Sequence, residues 1–145
     1  MKKKLFALLL ILAAILSACS GSKEKEKEEM TPQFLDVQLT VNPEQGKVNE
    51  PVTFEAKVTY GDKKVTDPDS IDFEIWLAND ENHEKIIPEH MGNGVFKIEK
   101  TFTAEGTYYV YAHVTAENMH NMPKKEFVIG TPSEPEDSNT STIME

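Results

Sequence analysis

A single cysteine, Cys19, is all the chain has for thiol chemistry. One thiol cannot close an internal disulfide or build a zinc–thiolate cluster. No apolar run reaches the roughly 20 residues that a membrane-spanning helix needs; Leu5 to Leu16 falls short of it. Positive charge is scarce too. Fifteen Lys and Arg face 25 Asp and Glu, a formal net charge of −10, which makes nucleic acid and the surface of anionic lipid poor partners. There is no Gly-rich phosphate loop, no Ser or Cys nucleophile motif and no convincing acid pair, so the chain does not read as an enzyme. No segment carries a helical apolar stripe, and there is no internal repeat.

What is present begins with "MKKKLFALLLILAAILSACS". Lys2, Lys3 and Lys4 precede an uninterrupted apolar stretch of signal-peptide length. The stretch ends in "LSAC", Leu16 to Cys19, which resembles the bacterial lipobox. That resemblance implies cleavage before Cys19, diacylglycerol on its sulfur and an acyl chain, such as palmitate, on the new amino terminus. Two or more acyl chains anchor a protein stably where one would let it leave. The expected location is therefore the extracytoplasmic face of the cell membrane. Residues 1–18 form the signal peptide. Residues 19–32, with "KEKEKEE", form a solvated charged tether. Residues 33–131 form one domain, and the Pro/Ser/Glu-rich residues 132–145 a disordered tail.

The domain alternates apolar and polar residues with period two, the pattern of half-buried strands. Leu35, Val37, Leu39 and Val41 share a face; so do Val52, Phe54, Ala56, Val58 and Tyr60. Ile71, Phe73, Ile75 and Leu77 follow, and then Phe96, Ile98 and Phe102. Tyr108, Val110, Ala112 and Val114 form the next set, with "HEKIIP" and "KKEFVIG" as further strands. Turn residues separate these runs. About seven strands with short connections predict an all-β, immunoglobulin-like antiparallel β-sandwich. "EGTYYV" suits a tyrosine corner at Tyr108, and without a Cys pair the domain is not of antibody type.

The stretch "HVTAENMHNMP" gathers His113, Met119, His120 and Met122 from a chain holding only four His and six Met. In the predicted sandwich, His90 and Met91 follow the "HEKIIP" strand and are expected at the same pole as the end of the Tyr108 strand. His83 is expected at the opposite pole. Thioether sulfur with imidazole suits Cu(I), whereas zinc would more usually add Cys, Asp or Glu, an option Glu117 keeps open. The competing reading makes the Met residues apolar caps and the His residues ordinary hydrogen-bonding groups. Trp76, Tyr109 and Tyr111 face outward on neighbouring strands and are expected to form an exposed aromatic strip, either sheet packing or a partner-docking patch.

The stretch "GVFKIEKTFTAEGTYYVYAHVTAENMHNMPKKEFVIG", Gly94 to Gly130, resembles the YtkA-like domain family of bacterial lipoproteins. The marks are "EG.Y.V..HV", "H.MP" and the terminal strand. "HM" at His90 and "HNM" at His120 also look like part of the PCuAC copper-chaperone pattern, although no Met lies between Met91 and Met119. These resemblances imply a monomeric, lipid-anchored Cu(I) chaperone for cytochrome c oxidase assembly. His90, Met91, His113, Met119, His120 and Met122 would be its candidate ligands, and its acceptor a protein such as an oxidase copper subunit. A reading from another class is a metal-free β-sandwich that binds a protein or an extracellular ligand through Trp76, Tyr109 and Tyr111.

Overall fold

The computed structural model of the protein describes residues 32–136. The expected signal peptide, the expected lipidation site at Cys19, nearly all of the expected tether and the end of the expected tail lie outside the described residues.

The described chain is built of strands: β1 (Leu35–Asn42), β2 (Gln45–Gly46), β3 (Pro51–Tyr60), β4 (Lys63–Lys64), β5 (Ser70–Leu77), β6 (Glu84–Ile86), β7 (Glu89–Gly92), β8 (Val95–Thr101), β9 (Gly106–Ala116), β10 (Met119–Asn121) and β11 (Lys124–Ile129). One sheet runs β1-β3-β8-β7, with β4 beside β3. The other runs β2-β11-β9-β5-β6, with β10 on β9. Every pairing is antiparallel except that of β2 with β11. This is the expected all-β sandwich.

The period-two pattern decides which side chains meet between the sheets. Val52, Phe54, Ala56 and Val58 of β3 are buried against Phe73 and Ile75 of β5 and Val110, Ala112 and Val114 of β9. At the centre, Phe54 lies 5.1 Å from Phe127, 6.2 Å from Phe102 and 6.4 Å from Phe73 between ring centroids. Truncating a buried Phe of this kind to Ala costs about 3–5 kcal/mol. The tyrosine corner is formed as read: Tyr108 OH donates to Ala104 O at 2.9 Å.

Two short strands alter the picture drawn from the sequence. Residues 89–92 do not trail from the "HEKIIP" strand. They form β7, which crosses to the first sheet and pairs with β8. The turn after it has Asn93 and Gly94 at positive φ, the conformation of a two-residue hairpin turn. A Cβ on Gly94 would lie 2.7 Å from Val58 O, so a side chain there would push the hairpin off β3. Residues 117–123 are likewise not an open loop. Glu117 and Asn118 both have positive φ, and the chain folds straight back as β10 along the end of β9.

Candidate functional site

The register of β9 with its partner builds the site. Met119 to Asn121 pair with Ala116 to Val114, and Lys124 to Ile129 pair with Tyr111 to Gly106. The two sets keep one register, so β10 and β11 are halves of a single antiparallel partner of β9. In the gap between them, Ala112 N donates to Pro123 O at 3.1 Å. Continuing this register places Met122 opposite His113.

Successive strand residues point to opposite faces. Val110, Ala112 and Val114 enter the core, so His113 and Thr115 face outward, as do His120 and Met122 across from them. The rings of His113 and His120 lie 5.9 Å apart between centroids. His120 Nδ1 is 2.9 Å from Thr115 Oγ1, which leaves its Nε2 without a partner among the described residues. Met122 is 41 % exposed. Two imidazoles and one thioether thus share an outward face near one end of the second sheet.

On the other side of His113 stands β5. Asp72 is its cross-strand neighbour and Glu74 pairs with Tyr111. His113 Nε2 is hydrogen-bonded to Glu74 Oε2 at 2.7 Å, and His83 Nδ1 to Glu74 Oε1 at 2.6 Å. Burial pushes the Glu74 carboxyl up. The hydrogen bonds from His83 and His113, with the nearby charges of His113 and Lys85, outweigh it and hold the group below the ordinary carboxylate range. Asp72 Oδ1 is buried with no hydrogen-bond partner among the described residues, a carboxylate oxygen that favours positive charge nearby.

The remaining sequence-predicted ligands go elsewhere. Met119, cross-strand from Ala116, has the opposite parity to His120 and packs against the core. His90 and Met91 do reach the expected end of the sandwich: Val58 N donates to Gly94 O, and Asn121 Nδ2 donates to Leu35 O opposite Tyr60. They belong to the other sheet, however. The His90 ring stacks on core residue Phe96, 4.6 Å between centroids, and Met91 is 58 % exposed. Stacked sheets lie about 10 Å apart, and His113 projects from the far side of the second one. His90 and Met91 therefore do not join His113, His120 and Met122. Among the described residues no group of three or more His, Cys, Asp or Glu could hold a metal ion; the register adds the Met122 thioether to the two imidazoles as a further candidate donor on this face.

His83 lies where it was expected, yet it is tied to the site. Continuing the β5–β6 register places it opposite Trp76, and its ring stacks on the indole at 4.4 Å and 13°. It does start from the end of β5 away from His120. Glu74 nevertheless links it to His113, so His83 belongs to the network around the site.

The aromatic strip is formed but not exposed. Trp76 is 4 % and Tyr109 7 % accessible. Lys124 Nζ lies 5.0 Å from the Trp76 ring, 4.2 Å from Tyr109 and 5.6 Å from Tyr111. The start of the segment read as a disordered tail also lies over the strip. Ser133 Oγ accepts from Thr107 N at 2.9 Å and Ser133 O from Thr107 Oγ1 at 3.0 Å. Glu136 Oε1 accepts from Trp76 Nε1 at 2.7 Å, and Glu136 N donates to Tyr109 OH at 3.3 Å. Outward aromatics of this size are covered because the polar segment supplies an acceptor for the indole N–H and a donor for the phenol oxygen. Sequence reasoning missed Glu74, Asp72 and Glu136. The available signal was the outward position of Asp72 and Glu74 in "IDFEIWLA", which carries no partner information until the strands are paired.

The YtkA-like family profile matches residues 29–113. The match ends at His113, so the placement of His120 and Met122 rests on the strand register. No curated protein matches the chain. Among solved structures, the chain is similar to the CARDB domain of a Pyrococcus furiosus protein in complex with di-metal ions. Identity is 20%, over 69% of this chain and 90% of that one, with a TM-score of 0.44. It is also similar to superoxide reductase (neelaredoxin) from Ignicoccus hospitalis, at 11% identity over 71% of this chain and 83% of that one, with a TM-score of 0.38. At these values the likeness transfers no residue and no ligand to this chain.

Proposed function

Since the chain belongs to the YtkA-like family, we propose that it is a membrane-anchored, extracytoplasmic copper-binding protein, a non-enzymatic Cu(I) carrier whose acceptor is an oxidase copper subunit. The anchor is lipid on Cys19. The cargo is held by His113, His120 and Met122, and the observation that carries this reading is the single register that puts those three side chains on one outward face. Imidazole and thioether donors suit Cu(I) better than the harder divalent ions. The buried Asp72 oxygen adds negative charge beside His113. A face open to solvent also lets a second set of ligands approach the metal, which transfer between proteins requires.

The test is copper content after anaerobic Cu(I) loading and desalting. The wild-type chain should retain near-stoichiometric copper. His120→Gln and Met122→Leu should each lose most of it, while His90→Gln should retain it. Equal copper loss in the His90 and His120 variants would break this donor assignment. A wild-type chain that retains no copper would refute the copper reading and leave a metal-free interaction domain.

A further inference from the structure

We infer that Glu74 is the positioning residue of this site, fixing His113 in the tautomer that carries its proton on Nε2 and leaves Nδ1 as the metal donor. The inference rests on the copper reading above for its function, but its structural half stands on the apo protein alone.

Glu74 sits on β5 between β6 and β9, opposite Lys85 on one side and Tyr111 on the other. Each carboxylate oxygen reaches a different imidazole: Oε1 the Nδ1 of His83 at 2.6 Å, Oε2 the Nε2 of His113 at 2.7 Å. An ionised carboxylate only accepts hydrogen bonds. Both ring nitrogens must then be donors, so His83 carries a proton on Nδ1 and His113 on Nε2. In a neutral His113 the one remaining lone pair is on Nδ1.

The geometry holds Glu74 from both sides. The His83 ring is stacked on Trp76, which is itself buried, so it cannot swing away freely. Lys85 Nζ lies 3.6 Å from Oε2. His120 has a different partner, its Nδ1 against Thr115 Oγ1, and its Nε2 has none among the described residues. With His120 Nδ1 donating to the Thr115 hydroxyl oxygen, the pair offers Nδ1 from one ring and Nε2 from the other, and the register places Met122 opposite His113. Metal-binding histidines commonly donate their second N–H to a carboxylate, and losing that partner typically weakens metal binding about 10–100-fold.

Glu74→Gln is nearly isosteric and separates this role from packing. A Gln amide has one acceptor oxygen and two donor hydrogens, so it cannot accept from both rings. Wherever the amide nitrogen meets His113, Nε2 must become the acceptor and the proton moves to Nδ1, which blocks the donor. The experiment uses the full chain in detergent, labelled with ¹⁵N-histidine, whose four His are assigned by single His→Gln variants. Long-range ¹H–¹⁵N correlation at pH 8 reads each tautomer, and competition with a chromophoric Cu(I) chelator reads affinity.

Wild-type His113 should show Nε2–H. Glu74→Gln should show a mixed or reversed tautomer and a Cu(I) affinity lower by about 10–100-fold, with unchanged circular dichroism. His90→Gln, in the other sheet, should keep both the tautomer and the affinity. Wild-type His113 found as Nδ1–H overturns the inference whether or not the Glu74 variant folds. Unchanged tautomer and affinity in Glu74→Leu, which keeps the bulk of the side chain but offers no acceptor in any orientation, overturn it and leave the copper reading intact. A wild-type chain that takes up no Cu(I) overturns both.

Discussion

Removing the Glu136 side chain should uncover the indole of Trp76. Glu136 Oε1 accepts from Trp76 Nε1 at 2.7 Å and from Asn79 N at 3.3 Å, and Oε2 lies 3.6 Å from Lys124 Nζ. A hydrogen bond to a charged group contributes about 1.5–3 kcal/mol, and a partly exposed ion pair of that length about 0–1 kcal/mol. Glu136 is only half-buried, so the lower end applies: about 1–2 kcal/mol for Glu136→Ala. Each 1.4 kcal/mol is roughly a factor of ten in an equilibrium constant, so the uncovered population should rise about 5–30-fold. Trp76 is the chain's one tryptophan, which makes its fluorescence a direct readout. Emission should shift to the red and acrylamide quenching should increase, while far-UV circular dichroism stays the same. Glu136→Gln keeps an acceptor for the indole N–H and should have a much smaller effect. If quenching in Glu136→Ala matches wild type, His83 and Lys124 cover the indole without this segment, and the energetic role assigned to Glu136 is wrong.

Acid should produce the same uncovering in the unmodified chain. Burial pushes the Glu136 carboxyl up, but the hydrogen bonds from Trp76 and Asn79, with Lys124, prevail and hold it below the ordinary range. Its contribution is therefore complete above the unfolded-state pKa and is lost as pH falls through the lower folded-state value. Acrylamide quenching of Trp76 should increase over that acidic window in wild type and show no corresponding step in Glu136→Ala. At the other end of the chain, Cys19→Ala should abolish lipid attachment and leave either released protein or uncleaved precursor. Immunoblots of membrane and soluble fractions decide this, and normal processing with unchanged membrane retention would refute lipid anchoring at Cys19.

Much of the fold could be read from alternation alone. Leu35, Val37, Leu39 and Val41, or Val110, Ala112 and Val114, had to face one way because strand side chains alternate and only one face of each could be buried. The tyrosine corner was legible for a similar reason, since Tyr108 reaches a carbonyl only four residues upstream. The hairpin after β9 was not. Glu117-Asn118 lacks the glycine that usually marks such a turn, so a strand continuing to Met122 looked like a loop.

The composition of the site was likewise visible in the sequence, and its membership was not. The local spacing of His113, Met119, His120 and Met122 drew attention to the stretch that carries the proposed site, but parity divides that stretch: His120 and Met122 face outward with His113, and Met119 turns into the core. His90 and Met91 shared the predicted end of the sandwich yet lie in the other sheet, because β7 pairs with β8. Nothing local pointed to the partners of Glu74, Asp72, His83 and Glu136, since these lie 9 to 60 residues away along the chain or across a strand pairing. Period-two alternation decides which side of a strand a residue faces. Which neighbours it meets there is set by long-range register, and a slip of one residue would turn every side chain to the opposite face.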